Sequence, residues 1–132
     1  MQTVIAYVAT LLAFTLIDLV WLGVIAKDFY RRELGPLMAE PINWTAGLAF
    51  YAIFAAGIVI FAVQPALAAG GPLRAGLLGA MFGFFAYATY DLTNLATTKG
   101  FPLKMALVDM VWGSVLTGLS AAIGASIAVR LV

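Results

Sequence analysis

Three aspartates lie inside long apolar runs of this sequence, where ionisable side chains are uncommon. They are Asp18, Asp91 and Asp109, and they make up half of the six carboxylates in the chain. An ionised aspartate at the centre of a bilayer costs about 3 kcal/mol even on lenient scales, so such side chains usually face a protein interior. Carboxyls that lie close together share protons and titrate as a unit. The three aspartates therefore suggest cation binding or proton uptake inside a membrane.

Polar side chains fall on the same helical faces as these aspartates. A helix advances about 100° per residue, which places Tyr87, Asp91 and Asn94 on one face and Asp18 and Trp21 on another. Polar faces of membrane helices turn toward one another, because lipid offers them no hydrogen bonds. We therefore predict one polar pocket formed by Asp18, Asp91, Asp109, Asn94, Tyr87, Trp21 and Trp112.

The depth of the three aspartates predicts a pocket that faces the cytoplasm. At about 1.5 Å per residue, all three lie about 7–14 Å inside the level set by Lys27, Lys99 and Lys104. The same lysines are long enough to reach the rim of the pocket and pair with an acid. A second interpretation stays open, because a single aspartate near a helix end often serves only to hold a bundle together through Trp, Tyr or Asn.

The residue types that are missing exclude several kinds of chemistry. The chain has no Cys and no His, which removes thiolate metal sites, thiol nucleophiles and the usual neutral-pH base. We predict neither a metal site nor a cofactor, and the sequence assigns no catalytic residue. A formal net charge of +1 gives no electrostatic basis for nucleic-acid binding.

The elements that must position these residues are membrane helices. The chain is 64% hydrophobic and 10% charged, with a mean hydropathy of +1.07, whereas a soluble domain is about 25% charged. Four apolar segments, at about residues 4–26, 42–63, 73–97 and 103–129, are each long enough to cross about 30 Å of hydrocarbon as a helix. We predict one domain, residues 1–132, with an all-α membrane fold that is a four-transmembrane-helix bundle.

The connections between these segments differ in charge. Residues 27–41 carry six of the thirteen charged side chains, and we predict a short interfacial helix at residues 28–34. Residues 64–72 read QPALAAGGP, which predicts an uncharged turn. Aromatic residues near a predicted membrane boundary are typical of an interfacial belt. We predict this anchoring role for Phe29, Tyr30 and Trp44.

The distribution of Lys and Arg predicts the orientation. Five of them lie in the first and third connections, namely Lys27, Arg31, Arg32, Lys99 and Lys104, and the opposite side carries only two. Positive loops stay in the cytoplasm, so we predict that both termini lie on the non-cytoplasmic side. The second apolar segment has no ionisable residue, and we predict that it is peripheral and faces lipid.

Three motifs of the chain resemble those of a small bacterial family. They are the segment 17–23 with Phe29-Tyr30, the segment 90–94 (YDLTN) and the segment 108–113 (VDMVWG). The family is domain of unknown function 2177. The resemblance implies a four-helix, multi-pass protein of the bacterial inner (cytoplasmic) membrane. It implies no reaction, although family members occur near genes of fatty-acid modification such as cyclopropane-type lipid synthases.

The chain is also similar in size and helix count to small multidrug exporters. Those proteins place a Glu in their first helix, whereas this chain has Asp18 there and two further acids.

Three functions remain open from the sequence. The first is small-solute, cation or proton-linked transport through the carboxylate pocket. The second is an enzyme or accessory protein of membrane-lipid modification, because the carboxyls lie near the depth of acyl-chain carbonyls. The third is a structural or assembly subunit. We predict membrane lipids as partners and consider a homo-oligomer possible, since four helices leave little room for a pathway.

Overall fold

A computed structural model describes residues 1–39 and 41–132, and these residues form helices joined by short connections. Residue 40, in the predicted charged loop, lies outside the described residues. The helices are α1 (Gln2–Val20), α2 (Lys27–Leu34), α3 (Trp44–Ile58), α4 (Gln64–Ala68), α5 (Gly71–Thr97) and α6 (Leu103–Leu131). Two π-helical segments, Trp21–Ile25 and Val59–Val63, extend α1 and join α3 to α4.

Three helices in the described part of the chain are long and apolar enough to cross a membrane. They are Gln2–Ile25, Trp44–Ala68 and Leu103–Leu131, and many of their large apolar side chains are exposed. Helix α5 is as long, but it is not one of the three. Its glycines and its polar C-terminal end lower its hydropathy.

The predicted turn at residues 64–72 is wrong in its first half. Gln64–Ala68 is helical and continues the second long helix beyond residue 63. Pro65 has no N–H to donate to the preceding turn. The π-helical segment Val59–Val63 lies directly before this proline, and such segments accommodate local breaks in the hydrogen-bond pattern. The chain reverses only at Gly70, whose φ of 102° is in the left-handed region.

Helix α6 lies between α1 and α5, and small residues allow all three backbones to approach closely. A Cβ at Gly79 would lie 2.7 Å from the Cβ of Ala121 and 2.8 Å from the carbonyl oxygen of Thr117. On the other side of α6, a Cβ at Gly124 would overlap the hydroxyl of Thr10. Small residues at these positions are the usual means by which membrane helices pack without a hydrophobic driving force.

The prediction that the second helix is peripheral is wrong for its inner face. Phe54 and Ile58 of α3 are buried, and the Phe54 ring lies 5.4 Å from that of Phe14 on α1. The opposite face, with Ile53 and Phe61, is exposed, and so are nearly all residues from 44 to 50. A helix with no charge still packs by shape, and its aromatic side chains bury large areas. This packing places α3 beside the aspartate of α1.

Candidate functional site

Asp18 is held by hydrogen bonds from two neighbouring helices. Its side chain is 6% exposed. The Tyr51 hydroxyl of α3 donates to Oδ2, and the indole Nε1 of Trp112 on α6 donates to Oδ1 at 3.0 Å. Both bonds favour the ionised carboxylate, which accepts through both oxygens. The carboxyl is therefore fixed in place at the junction of α1, α3 and α6.

Asp109 is held by a residue from the short helix α2. The Tyr30 hydroxyl donates to Oδ1 of Asp109 at 2.8 Å, and the same hydroxyl oxygen accepts a bond from Nε1 of Trp21 at 3.2 Å. Burial, together with the negative charge of Asp109, raises the pKa of Tyr30. Its hydroxyl therefore keeps its proton at neutral pH and serves as a donor.

A pair of stacked indoles links the two aspartates. The rings of Trp21 and Trp112 lie 4.3 Å apart at an angle of 11°. Trp112 donates to Asp18, and Trp21 donates to the tyrosine that binds Asp109. The π-helical segment Trp21–Ile25 begins at Trp21, and π-helical turns often occur at functional sites. Moving either indole would therefore disturb both carboxyls.

Asp91 has a different environment from the other two aspartates. It is fully buried on α5, and within residues 1–39 and 41–132 neither of its oxygens has a hydrogen-bond partner that satisfies normal geometry. Its carboxyl is close enough to Asp109 to interact electrostatically, and Asp109 also interacts with Asp18. The structure thus arranges the three aspartates as two pairs that share Asp109.

No group of three His, Cys, Asp or Glu in the described ranges is arranged to hold a metal ion. The two pairs are joined through Asp109, and Asp18 and Asp109 already accept bonds from fixed protein donors. Each of these two carboxylates still has lone pairs that could accept a further hydrogen bond.

The prediction that Asn94 belongs to the pocket is wrong. Its amide donates to the carbonyl oxygen of Tyr90 at 2.9 Å, and its Oδ1 accepts from the Thr98 hydroxyl at 2.8 Å. Both partners lie on the same helix. A helical side chain can reach the carbonyl four residues earlier. Asn94 can therefore satisfy its hydrogen bonds within its own helix, although it shares a helical face with Asp91.

Tyr87 lines the same large cavity as Asp18 and Asp109. Its ring packs so closely over Gly113 that a Cβ at that glycine would overlap it. A glycine at position 113 therefore makes room for an aromatic wall next to both acids.

One cavity contains both of the hydrogen-bonded aspartates. Its volume is about 600 Å³, within the range of small-molecule sites. The polar side chains that line it include Asp18, Lys27, Tyr30, Arg31, Trp44, Tyr51, Tyr87, Asp109 and Trp112. Asp91 and Trp21 are not among its lining residues; Asp91 is fully buried, and Trp21 stacks on Trp112. A smaller cavity of about 290 Å³, lined in part by Tyr87 and Tyr90, also reaches Asp109.

Two tyrosines of this site were not predicted from the sequence. Tyr30 was assigned to the interfacial belt, but it is 8% exposed and binds Asp109. Tyr51 was not singled out, although it has the only hydrogen-bonding side chain between residues 46 and 63. An isolated hydroxyl in an apolar helix needs a partner in the bundle, and that signal was available. Trp44, by contrast, is 56% exposed.

Lys27 lines the large cavity. The Nζ of Lys104 lies 5.9 Å from the centre of the Phe29 ring, in a cation–π contact.

Comparison with known proteins gives one family. Residues 3–126 match the family described as "Predicted membrane protein (DUF2177)". None of the curated proteins and none of the solved structures matches the chain.

Proposed function

The chain belongs to the DUF2177 family of predicted membrane proteins, and we propose that it crosses a bacterial inner membrane four times, with both termini on the non-cytoplasmic side. Helix α5 is the proposed fourth span. Its 27 residues reach about 40 Å, and Leu73, Leu77 and Phe85 are exposed on its surface. The lysine and arginine residues of α2 favour a location of the cavity mouth on the cytoplasmic side of the membrane.

We further propose that the cavity binds a cation and that binding is linked to proton movement, as in transport of a small solute. The observation that carries this proposal is that Asp18 and Asp109 line one cavity, each with its carboxylate fixed by tyrosine or tryptophan donors. Preorganised anions surrounded by aromatic rings attract organic cations, by charge and by cation–π contact.

The buried aspartate supplies the proton link in this proposal. Two ionised carboxylates at Asp91 and Asp109 would repel each other in a site with little water. One proton shared between them removes that repulsion and gives Asp91 a hydrogen-bond partner. A cation that binds at Asp109 then favours release of this proton. The two events are coupled through one carboxyl.

A titration with a model cation tests the proposal. The purified protein in detergent is titrated with tetraphenylphosphonium, and the heat is measured in two buffers of different ionisation enthalpy to count released protons. We expect binding with proton release. Asp109→Asn should weaken binding about tenfold or more, the equivalent of about 1.4 kcal/mol, and should abolish proton release.

Asp28→Asn is the matched control, because it removes the same charge from an exposed residue of α2 that does not line the cavity. It should bind like the wild type. If Asp109→Asn also binds like the wild type with the same proton release, the cation site is refuted and Asp109 has only a packing role.

A further inference from the structure

The large cavity has charges of both signs, and they come from different helices. Asp18 and Asp109 come from the long helices α1 and α6. Lys27 and Arg31 come from α2, the short helix that follows α1. A ligand whose positive group lies at the two acids would have its other end near Lys27, where a negative group is favoured. The lining therefore complements a zwitterion, with its positive group at the acids and its negative group at the bases.

The cavity walls indicate where such a ligand would come from. Leu19 and Leu22 of the first helix and Ile42 and Leu48 near the start of the second line the cavity, and each is also at least 41% exposed. Side chains that both line a cavity and face outward mark a lateral opening. In a membrane this opening leads to acyl chains rather than to water.

We propose that the cavity binds the head group of a zwitterionic phospholipid that carries a primary ammonium, with the acyl chains lying along the apolar opening. The inference rests on the proposed cation site and names its ligand class. The ammonium lies at Asp18 and Asp109, whose carboxylates keep acceptor capacity beyond the bonds they already make. The phosphate lies at Lys27, which is exposed at the mouth.

The aromatic side chains of the site suit this ligand. Tyr51, Tyr87 and Trp112 line the same cavity as both carboxylates. Their rings provide a low-dielectric surface that strengthens the contact between ammonium and carboxylate, and they add cation–π attraction. Because Tyr51 and Trp112 also hold Asp18 by hydrogen bonds, the carboxylate is oriented before the ligand arrives.

Competition between two lipids tests the inference. Delipidated protein in detergent is given equal amounts of phosphatidylethanolamine and phosphatidylglycerol with the same acyl chains, and bound lipid is counted by native mass spectrometry. We expect about a tenfold preference for phosphatidylethanolamine, as expected for one charge-assisted contact. Asp18→Asn should bring the ratio close to one. Lys27→Gln should lower the amount of both lipids while keeping the preference.

Lys99→Gln is the control, because Lys99 is exposed and does not line the cavity. It should leave amounts and ratio unchanged. Lys27→Gln changes an exposed side chain and keeps the proposal testable if Asp18→Asn does not fold. Soluble phosphoethanolamine in excess should not displace the lipid. Displacement would show that the cavity binds the free head group, and the proposal of a lipid ligand would be overturned. If the wild type binds the two lipids equally while tetraphenylphosphonium still releases protons, this inference is overturned but the proposed cation site is not.

Discussion

Removing the Tyr51 hydroxyl tests whether Asp18 is an ionised, hydrogen-bonded centre of the bundle. Asp18 is 6% exposed and accepts from Tyr51 and from Trp112. A hydrogen bond to a charged group is worth about 1.5–3 kcal/mol, and a buried acceptor that loses its donor keeps its desolvation cost. Tyr51→Phe should therefore lower the free energy of unfolding by about 1.5–3 kcal/mol.

The chain offers a close control for this substitution. The Tyr7 hydroxyl of α1 donates to the carbonyl oxygen of Ala52 on α3 at 3.0 Å. Tyr7→Phe thus removes the same atom from a bond between the same two helices, but with a neutral acceptor. Side-chain hydrogen bonds in membrane proteins average about 0.6 kcal/mol, so Tyr7→Phe should cost about that much.

The assay is a double-mutant cycle with Asp18→Asn. Unfolding of Tyr51→Phe, Asp18→Asn and the double variant is measured in mixed micelles by increasing the fraction of denaturing detergent. A direct bond predicts that the two substitutions are not additive, with a coupling energy of about 1 kcal/mol or more. Equal losses for Tyr51→Phe and Tyr7→Phe, together with additive effects in the cycle, would refute a charged Asp18 held by Tyr51.

The remaining predictions concern packing and topology. Gly79→Ala should destabilise the protein by about 1–2 kcal/mol, because the cost of overpacking, about 1–3 kcal/mol, exceeds the gain in helix propensity. Gly76→Ala, whose Cβ would lie 3.5 Å from that of Ala122, should be neutral or stabilising in the same unfolding assay. If Gly76→Ala were the more destabilising of the two, the α5–α6 packing would be contradicted. Because the chain has no Cys, single variants report topology. Lys99→Cys should react with an impermeant thiol reagent only in inverted vesicles and Ala69→Cys only in intact cells; labelling of both from one side would contradict the four-span topology.

The membrane class and the long helices follow from local properties of the chain. Hydropathy and length are properties of a single segment and can be read from the sequence. The predicted apolar segments therefore lie close to the three spans of the structure, Gln2–Ile25, Trp44–Ala68 and Leu103–Leu131. The error at Pro65 arose because a proline was taken to end the helix, whereas a π-helical segment beside it lets the helix continue.

The candidate site was only partly predictable. The three aspartates stand out, because a carboxyl in an apolar run is costly wherever it lies. Their partners do not, since Tyr51 and Tyr30 come from other elements and reach the acids at sequence separations of 33 and 79 residues. Asn94 shows the converse, because a residue on the expected face bonded its own helix.

The sequence by itself determined that the chain is a helical membrane protein with costly carboxyls that must find an interior. The tertiary structure alone decided that Asp109 is a neighbour of both Asp18 and Asp91, that two stacked indoles join Asp18 to Asp109, and that bases from α2 line the same cavity. The physical reason is the distance along the chain over which each property is determined. Burial cost and helix length are set by neighbours along the chain, whereas hydrogen bonds and cavity walls depend on how separate helices pack against one another.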